Sequence, residues 1–297
     1  MVKFATLSKL GAATLLSAAV GLANAGERVS DFSLVDAEGR FFQLSRHANQ
    51  DAVVLFTQDE SRDVRKAAKD IAALAEQFAG QKVEFLMLDS TGRADKAELR
   101  KAAEKAGISL RVLIDDTQLV AEELGLSRAL EVAILDPAAK ELVYRGALND
   151  RFAEGKKARR ASEHYVADAL QAMMAGEEVT AQFASNGDAI DFASGELMSV
   201  SYANDVAPIL EQRCVTCHQE GGIAPFAMSS HQMVQGWSPM IRETLITKRM
   251  PPGQIDAEYT NDFHGVNHIT VEETQKLVHW IDSGAKNEGN TDPLAEL

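Results

Sequence analysis

Both cysteines of this 297-residue chain lie in one pentapeptide, Cys214-Val215-Thr216-Cys217-His218. This excludes a disulfide between distant segments and a four-cysteine metal site. Two thiols separated by two residues and followed at once by histidine are the pattern of covalent haem attachment. The thiols add to the haem vinyl groups, and the adjacent imidazole becomes the proximal iron ligand. The pattern therefore predicts one haem c on Cys214 and Cys217, with His218 on the iron.

A thioredoxin-type dithiol has the same spacing, and a zinc site is a weaker alternative. The dithiol normally lies between a strand and a helix of an α/β domain. Here the motif lies in a stretch of helical patterns. We therefore favour haem, and we keep a dithiol oxidoreductase as the alternative in case no haem is attached.

An electron-transfer haem needs a second axial ligand, commonly Met or His. Met250 is the best placed candidate, because it follows a predicted helix and precedes two prolines that restrict the loop. His264 and His268 are rivals. An open sixth position would instead favour a peroxidase-like haem enzyme.

Residues around the haem carry weaker expectations. The loop 222–226 offers a carbonyl, through Pro225, that could hold the His218 ring N–H. Several basic residues are candidates for pairing with the haem propionates, with an ordinary basic helix end as the alternative. They are Arg242, Lys248 and Arg249. Trp237 and Trp280 are predicted to pack in the core or against the haem.

Residues 26–180 read as an α/β domain in which strands alternate with helices, which implies a partly parallel sheet with helices on both faces. The run Ala52–Phe56 is continuously apolar, as in a strand buried on both faces. A helix follows with Ser61 as its N-cap and apolar residues at helical spacing. Ser61 also stands where thiol-redox α/β domains carry their reactive cysteine. Thiol catalysis by this domain is excluded, and no catalytic residue is assigned.

Residues 181–198 lose this periodicity and read as a linker, and residues 199–297 as a mostly helical domain. One helix there is predicted to begin with Ser238 as N-cap and Pro239 at its first position. Another begins with a capping box, Thr270 to Glu273.

Residues 1–25 read as a signal peptide, because a short apolar run ends in Ala23-Asn24-Ala25. Cleavage would remove Lys3 and Lys9 and take the formal net charge from −14 to −16. Such an acidic protein lacks the positive footprint of nucleic-acid binding. The mature chain, with no membrane span, is expected in the periplasm.

Residues 29–180 resemble the redoxin family of thioredoxin-like and peroxiredoxin-like domains, in their order of elements, in Asp31-Phe32-Ser33-Leu34 and in the segment 144–151. Residues 199–290 resemble a monohaem cytochrome c domain, in the haem motif, in Ala224-Pro225-Phe226 and in Arg249-Met250-Pro251-Pro252. The combination is similar to redoxin–cytochrome c fusions, which in longer relatives precede a copper-dependent monooxygenase domain.

The resemblance implies a thioredoxin-like α/β domain without its cysteine, followed by a mostly α cytochrome c domain. It implies single-electron transfer to redox partner proteins, among them a separate copper-dependent oxidase or monooxygenase. The redoxin-like domain would serve as a scaffold or docking module. A module that binds a partner or small molecule through this domain is a further alternative.

Overall fold

The computed structural model describes residues 26–179, 183–193, 200–254, 267–289 and 291–297. The predicted signal peptide and His264 lie outside the described residues. Within them, all eight strands fall between residues 27 and 147, and the segment from residue 200 onward is helical.

The strands form one mixed sheet with the order β1-β8-β7-β4-β5-β6-β2-β3. The three central strands β4, β5 and β6 run parallel, and their neighbours on each side are antiparallel. The strands are β1 (Glu27–Arg28), β2 (Ser33–Asp36), β3 (Phe41–Gln43), β4 (Ala52–Gln58), β5 (Val83–Asp89), β6 (Arg111–Ile114), β7 (Glu131–Asp136) and β8 (Glu141–Ala147).

Strand β4 is buried along all seven residues, as its continuous apolar run predicts. Successive side chains of a strand point to opposite faces of the sheet. Val54 and Phe56 accordingly belong to the hydrophobic core on one face, whereas Val53 and Leu55 belong to the core on the other. The sheet is thus covered on both sides.

Three helices cover the first face: α1 (Arg62–Gln77), α2 (Lys96–Ala106) and α4 (Tyr165–Ala175). The short helix α3 (Leu119–Glu123) lies on the second face. Helix α1 begins as predicted, because the Ser61 side chain accepts a hydrogen bond from the Val64 backbone N–H.

In the helical part, residues 202–215 form a continuous helical segment. It is a π-helix at Tyr202–Val206, an α-helix at Ala207–Leu210 (α5) and a π-helix again at Glu211–Val215. Helices α6 (His231–Ile246) and α7 (Val271–Asp282) follow. Helix α7 has the predicted capping box between Thr270 and Glu273.

The predicted start of α6 is wrong. The helix begins eight residues earlier, with the Ser230 side chain accepting a hydrogen bond from the Met233 N–H, so Pro239 lies inside it. The Ser238 hydroxyl donates to the Gln235 carbonyl 2.8 Å away instead of capping a helix. A strong cap at Ser230 sets the start, and the later proline is accommodated within the helix.

The two parts pack directly against each other. One continuous hydrophobic cluster includes Leu119 and Val120 of the α/β part and Ile246 and Ile269 of the helical part. Polar contacts join the same surfaces: His279 Nε2 lies 2.6 Å from Glu122 Oε2, and the Gln275 amide donates to the Thr117 carbonyl at 2.9 Å.

Where it is described, the segment predicted as a linker lies along the α/β part. Its backbone bonds to that part at several places: for example, the Ala147 N–H donates to the Phe183 carbonyl, and the Ile190 N–H donates to the Ser127 carbonyl. Gly187 lies so close to Ala129 that a Cβ atom would be 1.9 Å from the Ala129 carbonyl oxygen. Glycine is therefore required there.

Among the described residues, no helix is both long enough and apolar enough to cross a lipid bilayer.

Candidate functional site

The haem-type motif lies at the end of a helix. Cys214 belongs to the π-helix Glu211–Val215, and the turn that follows carries Cys217 and His218. Both the Cys217 and the His218 N–H donate to the Cys214 carbonyl, at 3.1 and 3.0 Å. Both thiols are free and partly exposed. The two sulfur-bearing residues and the histidine are therefore held within one tight turn.

His218 is buried, and one of its ring nitrogens is engaged by the backbone. Its Nδ1 lies 3.0 Å from the Phe226 carbonyl oxygen. A carbonyl only accepts hydrogen bonds, so Nδ1 carries the proton and Nε2 keeps its lone pair. This is the tautomer that a metal-binding histidine needs. The expected carbonyl contact is present, but it comes from Phe226 rather than Pro225.

The loop between His218 and α6 folds back on the motif. The Ala224 N–H donates to the Cys217 carbonyl at 3.1 Å, and the Met228 N–H donates to the His218 carbonyl at 2.7 Å. Gly222 permits this turn, because a Cβ atom there would lie 2.4 Å from the Cys217 carbonyl oxygen.

An apolar surface lies exposed beside this loop. Phe226 stacks on Trp237 with 4.6 Å between ring centroids and also contacts the His218 ring. Trp237 belongs to a row on α6 with Met233 and Met240, and the three residues are 37%, 40% and 45% exposed. Residues four and three positions apart lie on one face of a helix. The face next to the histidine is thus an uncovered apolar strip.

An ion pair fixes the residue that precedes the motif. The Arg213 guanidinium donates to both carboxylate oxygens of Glu273, at 3.0 to 3.1 Å, and the Asn267 amide donates to the Arg213 carbonyl. Burial, followed by the negative charge of Glu273, raises the pKa of Cys214 to about 12. The Cys214 thiol is therefore protonated at neutral pH.

Met250 lies just beyond α6 and is 39% exposed. The Arg249 and Met250 N–H groups both donate to the Thr244 carbonyl, which anchors this turn. Met250 and its rival His268 both line a pocket between the thioredoxin-like domain and the helical part. Cys214, Cys217 and His218 are not among the described residues that line this pocket.

The three basic candidates for the haem propionates all contact carboxylates of the chain. Arg242 binds Glu123 and Asp282, and Arg249 binds Glu243. The Lys248 ammonium lies 3.7 Å from Asp116. Arg242 joins the two parts of the chain, a role that the local sequence does not reveal, because its partner Glu123 is 119 residues away. Trp280 is a core residue: it is buried and stacks on Tyr202.

Comparison with known proteins identifies the first part. Residues 25–148 match the AhpC/TSA family. The N-terminal part is a thioredoxin-like α/β domain. Ser61 caps α1 in this domain. The family match ends at residue 148 and does not reach the helical part.

Several solved structures align with part of the chain. A hypothetical protein from Sinorhizobium meliloti 1021 aligns with 58% of this chain and 96% of its own, at 23% identity and a TM-score of 0.50. An uncharacterized conserved protein from Geobacillus kaustophilus aligns with 58% and 94%, at 22% identity and a TM-score of 0.48. The peroxidoxin BcpB from Mycobacterium tuberculosis aligns with 51% and 96%, at 21% identity and a TM-score of 0.38. No curated protein matches the chain significantly.

Proposed function

We propose that this chain is a periplasmic electron-transfer protein that carries one haem. Cys214 and Cys217 hold the haem covalently, and His218 is its proximal iron ligand. The observation that carries the proposal is the bond between His218 Nδ1 and the Phe226 carbonyl, because it leaves Nε2 available for iron. When bound, an iron with His and Met ligands supplies reversible one-electron chemistry.

The surroundings of the motif fit a large apolar group. The row Met233, Trp237 and Met240 leaves apolar surface in water next to the His218 loop. An exposed apolar strip of this kind marks a surface that binds something. Phe226 serves twice: its carbonyl orients the imidazole, and its ring packs between His218 and Trp237.

The state of Cys214 argues against a dithiol oxidoreductase. Such enzymes attack with a thiolate and lower the pKa of the attacking cysteine. Here burial raises the pKa of Cys214 to about 12, so the thiolate is disfavoured. A partly buried, protonated thiol is compatible with a residue whose final state is a thioether.

A second candidate is a peroxidase-like haem enzyme with an open sixth position. The exposure of Met250, 39%, favours this alternative, because a thioether partly in solvent is less firmly held as a ligand. The choice between the two functions therefore depends on whether Met250 binds iron.

The thioredoxin-like domain would act in this proposal as a scaffold and docking module. It has no cysteine, and it contacts the helical part through α3 and through Thr117. The partners would be redox proteins with a basic surface, because the net charge of −14 attracts them at low salt. A separate copper-dependent oxidase or monooxygenase is one such partner class.

The first test measures haem attachment directly. The full chain is expressed together with the haem-maturation machinery, and its intact mass and pyridine haemochrome spectrum are recorded. We expect cleavage before Gly26 and the added mass of one haem, which the double substitution Cys214→Ala and Cys217→Ala abolishes. An unmodified mass with two free thiols would reject the haem.

The second test separates the two haem functions. If Met250 is the distal ligand, the ferric protein has the weak near-infrared band of methionine ligation, and Met250→Ala removes it. Met174→Ala is the matched control, because Met174 is a similarly exposed methionine on α4 of the thioredoxin-like domain, outside the apolar row. A ferric protein without the band that binds added ligands would favour the peroxidase-like alternative.

A further inference from the structure

The ion pair beside the haem motif is fixed by further contacts at both of its ends. The Arg213 guanidinium donates to the Glu273 carboxylate at 3.0 to 3.1 Å, and the Asn267 amide donates to the Arg213 carbonyl. Glu273 is held in the first turn of α7, because its carboxylate accepts from the Thr270 N–H at 2.8 Å and its own N–H donates to the Thr270 hydroxyl at 3.1 Å. The pair is therefore part of a network, unlike an isolated ion pair on a surface.

The pair is also shielded from water. The side chains of Arg213 and Glu273 are 19% and 17% exposed, whereas the adjacent Glu272, which pairs with Lys276, is 71% exposed. Charges that are removed from water are screened less, because the effective dielectric constant around them is lower. The charges of Arg213 and Glu273 therefore act on their neighbours more strongly than the charge of Glu272 does.

One of these neighbours is the first cysteine of the haem motif, since Cys214 follows Arg213 directly. After burial, the negative charge of Glu273 is the largest cause of the raised pKa of Cys214, and the positive charge of Arg213 opposes it. The field of the pair thus reaches the sulfur atom of the proposed attachment site. A carboxylate favours the oxidised form of a nearby haem, which carries one more positive charge, and a guanidinium favours the reduced form.

We propose that the Arg213–Glu273 pair sets the reduction potential of the haem, an inference that rests on the proposed function. Glu273 compensates the Arg213 charge beside the attachment site, where water screens it only weakly. Neither member is a catalytic residue: both act as positioning residues that fix two opposite charges next to Cys214.

The test measures the reduction potential of the full mature chain with its haem attached, by spectroelectrochemical titration. Glu273→Gln removes the negative charge and leaves Arg213 uncompensated, while glutamine retains a capping box at this position. At a fixed ambient potential, we expect the ratio of oxidised to reduced haem to fall by about threefold to tenfold. The reduction potential then rises by about 30–60 mV, since a tenfold change corresponds to about 59 mV for one electron.

Two further variants and a control separate a charge effect from a structural one. Arg213→Met should shift the potential in the opposite direction, and the double variant with Glu273→Gln should return it towards that of the wild type. Local loosening of the structure does not produce shifts of opposite sign that cancel. Glu272→Gln is the matched control, because it removes the same charge from the adjacent exposed position, and it should leave the potential nearly unchanged.

Haem content, from the pyridine haemochrome spectrum, keeps this test apart from that of the proposed function. A wild type without haem would overturn both. With haem attached, equal responses to Glu273→Gln and Glu272→Gln would overturn the role of the pair alone. Shifts in the same direction for Glu273→Gln and Arg213→Met would do so as well. If Arg213→Met does not take up haem, the comparison of Glu273→Gln with Glu272→Gln decides.

Discussion

The thioredoxin-like domain and the helical part differ in how their exposed apolar residues are arranged. Those of the domain, such as Phe41 and Met174, lie singly on different elements, whereas those of the helical part form a row on one helix. In the domain, every residue of β4 is buried and both sheet faces are covered. In the helical part, α6 keeps Met233, Trp237 and Met240 exposed. A domain with a complete core needs nothing more for its stability, whereas the exposed row is apolar surface that water disfavours. The difference supports the proposal that the helical part receives a bound group.

The same contrast holds for chemistry. At the start of α1, where a thioredoxin-like domain can present a thiol, the Ser61 side chain accepts a hydrogen bond from the Val64 N–H of the helix that it caps. The helical part holds both thiols of the chain in one turn. The helical part therefore carries the thiols, and the thioredoxin-like domain carries the sheet whose two faces are both covered.

The largest effect is expected at Asp115, an ionisable carboxyl group buried inside the thioredoxin-like domain. It tests whether the core of this domain is free of strain. It is fully buried and accepts hydrogen bonds from the Ser90 hydroxyl and from the Val120 and Ala121 N–H groups. Burial raises its pKa from 3.8 to about 6. Folding then favours the protonated form, so its contribution is complete below about pH 4 and is lost as the pH rises through about 6.

As the pH is raised from 4 to 7, we expect the wild type to lose stability that the Asp115→Asn variant keeps. The unfolding free energy of the variant should therefore rise relative to that of the wild type by up to about 3 kcal/mol. Urea unfolding at several pH values measures this difference, with the exposed Asp51→Asn as control. Parallel pH profiles of wild type and Asp115→Asn would mean that the buried carboxyl is not strained.

Arg242 tests how firmly the two parts are joined. Its guanidinium donates to Asp282, to the Ser30 hydroxyl and to Glu123, at 2.6 to 2.9 Å. Burial raises the pKa of Glu123, but the hydrogen bonds from Ser30 and Arg242 outweigh it and leave this pKa below its ordinary value. The joint therefore contributes stability above about pH 4.5 and loses it as the pH falls.

We expect Arg242→Met to lower the unfolding free energy by about 1–3 kcal/mol at pH 7, because it leaves the Glu123 carboxylate without its cation. The loss is smaller than for a fully buried charge, because this pair is partly exposed. The double variant with Glu123→Gln should recover part of this loss. The control Arg249→Met, whose partner Glu243 is exposed, should cost about 0–1 kcal/mol. Equal losses for Arg242→Met and Arg249→Met would argue against a specific joint.

Ser61 gives the smallest effect. Ser61→Ala removes the cap of α1 and should cost about 1 kcal/mol in urea unfolding, whereas Ser61→Asp, which keeps a side-chain acceptor, should cost less. Haem content should be unchanged in both. A loss of haem or of electron-transfer rate in Ser61→Ala would show that this position has a role beyond capping.

Much of the fold is predictable because its signals are local. The apolar run of β4, the Ser61 cap and the capping box at Thr270 each involve residues within a few positions of one another. The predicted start of α6 was wrong because Pro239 pointed to Ser238 as the cap, whereas the helix begins after Ser230 and contains the proline.

The contacts between the two parts are less predictable. Arg242 reads locally as a basic residue near a helix end, and only the packing of α6 on α3 brings it to Glu123. The pocket beside Met250 is lined by Ser33 and His268, which are 235 positions apart in the sequence. The haem motif is the exception: its residues are contiguous, so its chemistry is predicted from sequence alone.

The attachment of residues 183–193 to the thioredoxin-like domain also limits how far the helical part is able to travel. From residue 193 to residue 200 the chain spans at most about 25 Å, even fully extended. If the helical part dissociated from the thioredoxin-like domain, its concentration at the surface of that domain would therefore remain about millimolar or higher. At such concentrations weak contacts suffice for rebinding, so opening of the interface would be brief and readily reversed.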